Sequence, residues 1–139
     1  MDLASATLPE GPVAGSVNGQ GFRCEHATLK RGDLLLLQGD TAAPEQALRI
    51  SLFAQDAAHL SGKAVTIAPN RTPPLPQVSM LWRDERSQPV TNHFSGGYAL
   101  RLIFGQAANG RMPGKIFICL PDEAKSFAAG TFNAELKRP

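Results

Sequence analysis

The sequence lacks an excess of charge of either sign. Fourteen Lys and Arg residues stand against twelve Asp and Glu residues, which leaves a formal net charge of +2, and the charges are scattered along the chain. A protein that binds the phosphate backbone concentrates its basic residues on one surface. We therefore expect no nucleic-acid partner.

Long apolar runs are also missing. No stretch approaches the ~20 apolar residues that a membrane-spanning helix needs. The first 25 residues lack the basic start and the continuous apolar segment of a signal peptide. We expect a soluble chain without a membrane span.

Turn-forming residues are abundant instead, with 13 Gly and 11 Pro in 139 residues. This composition is typical of short strands joined by turns, and the length fits one domain. Residues 1–14 contain two prolines, small residues and no alternation, so we interpret them as a flexible N-terminal lead and residues 15–139 as a single domain. Such a lead is typical of a domain that follows a signal or lipoprotein anchor. It favours an extracytoplasmic location, in the periplasm or on the cell surface.

Bulky apolar residues recur at every second position in many short segments, for example in residues 47–54 and 98–104. The four leucines at 34–37 are typical of a central strand. Apolar residues at helical spacing are absent, so we expect helix in less than about 15% of residues. These patterns predict an all-β fold, an antiparallel β-sandwich of about eight strands, with a small closed β-barrel as the alternative.

The last third of the chain has the clearest pattern. Residues 98–104 and 115–120 predict two neighbouring strands joined by a hairpin connection. The run GKIFICLPDEAKSFAAGTF, residues 114–132, resembles the strand, acidic turn and strand of bacterial surface and periplasmic sandwiches. The resemblance implies a bacterial, extracytoplasmic sandwich and indicates no particular family. Gly130 indicates a bulge or a close backbone approach in the last strand.

The two cysteines, Cys24 and Cys119, each share a predicted strand face with a phenylalanine, Phe22 and Phe117 respectively. We expect them to be inert buried thiols, because an apolar setting raises a thiol pKa and suppresses its reactivity. A disulfide between them is the alternative. It would stabilise the fold by ~4 kcal/mol and would imply an oxidising compartment.

A weaker alternative is a metal-dependent or thiol-dependent site. Cys24 and His26 fall on one face of a predicted strand, and His93 or Cys119 could complete a set for zinc or copper. No CxxC, HxxxH or acidic cluster accompanies them, and neither cysteine has the strained turn or helix start that a nucleophile requires. We expect no metal, no cofactor and no catalytic residue, and enzymatic activity is not favoured.

A polar segment at residues 83–97 (RDERSQPVTNHFSGG) is the candidate binding site. Loops of this length in a compact domain are frequently functional, although a simple solvated connection is the competing interpretation. The candidate partner-binding residues in it are Arg83, Asp84, Arg86, Asn92, His93, Ser95, Gly96 and Gly97.

These observations favour a non-enzymatic, extracytoplasmic binding or accessory module for a protein partner. Polysaccharide binding is a weaker hypothesis, because it uses exposed aromatic platforms and the only Trp and Tyr, Trp82 and Tyr98, lie on predicted strands. A third hypothesis is an inhibitor of a cell-wall enzyme that inserts the Ser95–Tyr98 turn into the enzyme's cleft.

Overall fold

The described part of the chain is built from strands. A computed structural model describes residues 11–40, 42–54, 56–72 and 74–137. These residues form eleven β-strands and a short 3₁₀ turn, Ala57–Leu60, and no α-helix lies in the described ranges. In the same ranges, no helix is long and apolar enough to cross a bilayer. The all-β prediction is confirmed.

The strands differ in length from four to eleven residues. They are β1 (Ala14–Val17), β2 (Gln20–Arg23), β3 (His26–Lys30), β4 (Asp33–Gly39), β5 (Pro44–Ser51), β6 (Ala64–Ile67), β7 (Gln77–Arg83), β8 (Pro89–Phe94), β9 (Ala99–Phe104), β10 (Arg111–Cys119) and β11 (Phe127–Lys137).

All eleven strands belong to one curled, mixed sheet, a half-barrel that fits a sandwich or barrel-like fold. Its order is β6-β9-β10-β11-β3-β4-β5-β7-β8, and the β1–β2 hairpin branches from β11. One side of β11 pairs with β10. On its other side β11 pairs first with β1, antiparallel, and then with β3, parallel. The expectation of about eight antiparallel strands was therefore too low, and it missed the parallel pair.

One cause of the difference is a corner at Cys24. Residues 22–27, expected as one strand, divide into the end of β2 and the start of β3. The Cys24 amide donates to Val13 O at 2.8 Å, and the Glu25 amide donates to Leu37 O at 2.9 Å. Successive amides thus bond to different neighbouring segments, the residue before β1 and strand β4, so the chain changes partner here.

The core lies on the concave face of the curled sheet, where alternate residues of each long strand point inward. Burial of each large apolar side chain contributes roughly 1.5–3 kcal/mol, so this shared face is the main source of stability. The fully buried residues include Leu34, Leu36, Leu48, Ile50, Val78, Met80, Leu100, Leu102, Ile116 and Ile118.

The end of the predicted lead belongs to the fold. Val13 is completely buried and its amide donates to Thr131 O at 3.1 Å, while the Thr131 amide donates to Gly11 O at 2.7 Å. Ala14 is the first residue of β1. Residues 11–14 are therefore part of the sheet, and residues 1–10 lie outside the described residues.

The predicted hairpin of the last third is confirmed. Strands β9 and β10 pair antiparallel from Phe104 opposite Gly114 to Ala99 opposite Cys119. Strand β10 begins earlier than expected, immediately after Asn109 and Gly110. Both have positive φ, 55° and 75°, which is the backbone of a type I′ turn.

Candidate binding site at the end of the β7–β8 hairpin

The polar segment 83–97 is mainly a hairpin and not a loop. Residues 84–88 turn the chain, and Pro89–Phe94 form β8, the last strand in the sheet order. Arg83, Asp84 and Arg86 lie at one end of β8. The residues 95–97 lie at its other end, about 20 Å away for a six-residue strand. The candidate residues therefore do not form one site.

Asp84 holds the turn in a fixed shape. The Asp84 amide donates to Gln88 O at 3.0 Å, and the Ser87 amide donates to Asp84 O at 2.9 Å. The Asp84 carboxylate Oδ1 accepts from the amides of Arg86, at 2.8 Å, and Gln88, at 2.9 Å. Ser87 has φ 62°, so the turn is a type I turn followed by a left-handed residue.

A groove of about 570 Å³ opens beside this turn. The β1–β2 hairpin forms its opposite wall, held there by buried Gln46, whose Nε2 donates to Val17 O at 3.5 Å and Gln20 O at 3.3 Å. Asn18 and Gln20 could not be predicted as lining residues from the sequence, because the two hairpins are about 60 positions apart in the chain. The lining residues are Asn18, Gln20, Trp82, Arg83, Asp84, Glu85 and Arg86.

The charged side chains of the groove differ in mobility. Arg83 is fixed, since its Nε donates to Pro44 O at 3.1 Å and its Nη1 to Ser87 O at 3.3 Å. Glu85 and Arg86 are exposed, and neither forms an ion pair with another described residue. Trp82 is half-buried and packs against the core. The groove thus offers an anchored aromatic ring between solvent-accessible charges of both signs.

The outer edge of β8 offers unpaired backbone groups. Asp84 and Gln88 form a hydrogen-bonded pair, and hydrogen-bonded and non-hydrogen-bonded pairs alternate along an antiparallel ladder. Thr91, opposite Leu81, and His93, opposite Ser79, are therefore non-hydrogen-bonded positions. Their N–H and C=O groups point away from β7, and no described strand pairs with that edge.

Side chains on β8 alternate across the sheet. His93 lies on the convex face, where its Nδ1 is 2.7 Å from Ser79 Oγ. Asn92 lies opposite Met80 and is exposed. The two candidate residues therefore face opposite sides of the strand.

Tyr98, at the end of the Ser95–Tyr98 turn, lies in the core, in agreement with its position on a predicted strand. Tyr98 is completely buried, and its hydroxyl donates to Pro76 O. Burial raises the Tyr98 pKa, although the nearby Arg71 charge opposes the rise. Ser95, Gly96 and Gly97 are the accessible residues of this turn.

The residues of the metal or thiol alternative are not brought together. Strands β4, β5 and β7 lie between β3, which begins at His26, and β8, which carries His93. Cys24 and His26 are neighbours, with Cys24 Sγ 3.3 Å from His26 O. Among the described residues no group of three or more His, Cys, Asp or Glu could hold a metal ion.

Both cysteines are free thiols, and the disulfide alternative is not formed. Cys24 bonds to Val13, which bonds to Thr131 of β11, whereas Cys119 lies opposite Phe127 of the same strand. Thr131 and Phe127 are ~13 Å apart along an extended strand, and a disulfide requires Cα atoms within about 7 Å. Burial raises the Cys24 pKa to about 11 and also raises the Cys119 pKa.

No family model, no curated protein and no solved structure matches this chain in comparisons of sequence and fold.

Proposed function

We propose that the chain is a non-enzymatic binding module that recognises a protein partner through its β7–β8 hairpin. The observation that carries the proposal is the open edge of β8. This edge ends beside the groove that contains Trp82. Backbone pairing along the edge and side-chain contacts in the groove together provide one continuous recognition surface.

The edge of β8 is suited to strand addition. An exposed sheet edge pairs with an extended segment of another chain, and natural proteins block unwanted pairing with charged side chains. The six residues of β8, PVTNHF, include no Lys, Arg, Asp or Glu. Thr91 and His93 each present one N–H and one C=O to the partner. Pro89 presents a carbonyl only.

The groove is suited to anchor the partner's side chains. Trp and Arg are enriched among the residues that dominate binding energy at protein interfaces. Trp82 already packs against the core, so its side chain loses little conformational entropy when a partner binds. A segment paired with β8 reaches the groove where β8 meets the turn at Pro89, and it can contact Glu85 and Arg86 there.

The extracytoplasmic location and the bacterial origin remain predictions from the sequence. Sugar binding would use the groove alone, because a saccharide does not pair with a strand edge.

Thr91→Pro is expected to abolish strand addition while the hairpin stays folded. Proline removes the outward N–H of Thr91, which bonds to no residue of β7, and edge strands accept proline where the N–H faces solvent. Peptides selected from a random displayed library on the full chain are expected to bind the variant at least tenfold more weakly, measured by calorimetry. The variant's urea unfolding is expected to stay close to that of the parent.

Thr91→Val is the matched control, since it keeps the amide and the β-branched shape. Its peptide affinities are expected to lie within about twofold of the parent, because packing of the side chain is almost unchanged. An equal loss of peptide affinity in both variants would overturn the proposal. So would peptides that change the protein's amide chemical shifts only at positions away from β8 and the groove. Peptides that bind the groove of Thr91→Pro as tightly as that of the parent would contradict strand addition and would also overturn the proposal.

A further inference from the structure

A second cavity lies at the opposite end of β7 from the groove. It has a volume of about 270 Å³, close to the lower limit of ~300 Å³ for small-molecule pockets. It is formed by the chain after β5, strand β6 and the proline-rich segment before β7. Its apolar lining consists of Leu52, Phe53, Leu60, Val65, Ile67 and Leu75.

Phe53 lies at the mouth of this pocket and is unusually exposed. Its relative exposure is 73%. Among the described residues, two large apolar side chains are exposed, and Phe53 is the more exposed of them. Leu52, its neighbour, is buried in the core. An aromatic ring left in water beside an apolar cavity provides a surface that a ligand can cover.

Arg71 supplies a positive charge at the same pocket. Its Nη1 donates to Thr66 O at 3.0 Å, and it forms no ion pair with another described residue. Arg71 itself lines the pocket, and its charge also opposes the rise of the Tyr98 pKa. Tyr98 in turn bonds to Pro76, which also lines the pocket. The pocket therefore combines an apolar interior with a cation that no described carboxylate neutralises.

We propose that this pocket binds a free small amphiphile that has one short apolar chain or ring and a carboxylate. The apolar part fills the cavity under Phe53, and the carboxylate accepts from the Arg71 guanidinium, whose planar fork matches carboxylate geometry. The volume restricts the ligand to a single short chain. This site is separate from the β7–β8 hairpin and does not depend on the function proposed for it.

The test is a titration of the full chain with octanoate, followed by amide chemical shifts. Octanol and octylamine serve as ligands with the same chain and a neutral or cationic head. Octanoate is expected to bind at least tenfold more tightly than octanol, with shift changes at residues 52–54 and 65–76. Arg71→Gln is expected to weaken octanoate binding at least tenfold, and Arg71→Lys, which keeps the charge without the planar fork, to restore it only in part.

Lys63→Gln is the matched control, because it removes a positive charge close to the pocket from a residue outside its lining. We expect a change of less than twofold for it. Phe53→Ser keeps the fold, since the ring is exposed. It is expected to weaken the binding of both octanoate and octanol. Thr91→Pro is expected to leave octanoate binding unchanged, which separates this proposal from the proposed function.

Three results would overturn the proposal. The first is equal affinity for octanoate and octanol, and the second is a loss of octanoate affinity in Lys63→Gln as large as that in Arg71→Gln. The third is amide-shift changes outside residues 52–54 and 65–76. Arg71-dependent sedimentation with phosphatidylglycerol vesicles, without octanoate binding, would assign the same chemistry to a lipid surface and would also contradict a free ligand.

Discussion

Gly130→Ala is expected to destabilise the fold by about 3 kcal/mol or more, because it combines backbone strain with a steric clash. Gly130 has φ +143°, which L-residues other than glycine rarely adopt. A Cβ at this position would lie 2.7 Å from the carbonyl oxygens of Gly11 and Pro12. Both clashing atoms belong to the backbone, so no side-chain rotation relieves the contact.

Gly21→Ala is the matched control for this prediction. Gly21 lies in β2, and an added Cβ there has nothing within 4 Å. Its unfolding free energy is expected to stay within about 0.5 kcal/mol of the parent. Urea unfolding followed by Trp82 fluorescence measures both variants. A Gly130→Ala variant as stable as Gly21→Ala would mean that residues 11 and 12 do not cross β11 at this point.

Gly130 also illustrates what the sequence predicts well. A glycine within a strongly alternating strand has few physical explanations, and the close backbone approach predicted from it is confirmed. The predicted bulge is absent, since the β10–β11 register runs without a shift. The identity of the approaching chain could not be predicted, because Gly11 and Pro12 are more than a hundred residues away.

The same contrast holds for the strands. β5, β7, β9 and β11 each contain buried residues at alternate positions, and burial imposes a period of two that is visible locally. β4 is predicted instead by its run of four leucines. β8 has only one neighbour and largely polar exposed residues, so no buried face imposes a pattern. Its sequence therefore resembles that of a loop. The edge that we propose to bind a partner is difficult to predict for the same reason that it is open.

The groove was predicted only in part, because two distant hairpins form it. Arg83, Asp84 and Arg86 were chosen for their polarity within one segment. Asn18 and Gln20 adjoin a recognised Asn-Gly turn, but local patterns do not indicate which loops meet in space. The packing of the β1–β2 hairpin on β5 depends on the Gln46 side chain. Gln46 contacts Gln20, 26 positions earlier in the chain, and Val17, 29 positions earlier.

At pH 7.5, Cys24 in the native protein is expected to react with iodoacetamide about 100-fold more slowly than an ordinary exposed thiol. The thiolate is the reacting form, and burial raises the Cys24 pKa from 9.0 to about 11, which lowers the thiolate fraction about 100-fold. The Leu37 and His26 hydrogen bonds and the Glu25 charge are smaller influences than burial. Mass spectrometry of tryptic peptides after timed labelling measures the rate.

The pH dependence of the Cys24 labelling rate provides a second test of the raised pKa. The labelling rate of an ordinary thiol is half-maximal near pH 9, whereas the Cys24 rate is expected to be half-maximal near pH 11. Because the folded pKa is raised, Cys24 also favours the folded state below pH 9, and this contribution is lost as the pH rises from about 9 to about 11.

Two controls assign the labelling rates to their sites. Cys119→Ser leaves Cys24 as the only thiol, and labelling of the urea-unfolded chain gives the rate of an exposed thiol in the same sequence. A native rate equal to the unfolded rate at pH 7.5 would show an accessible and ionised Cys24. The thiol-dependent alternative built on Cys24 and His26 would then be favoured over the inert pair. A slow native rate that rises towards pH 11 leaves Cys24 without the thiolate that nucleophilic chemistry requires, and it counts against the thiol-dependent alternative.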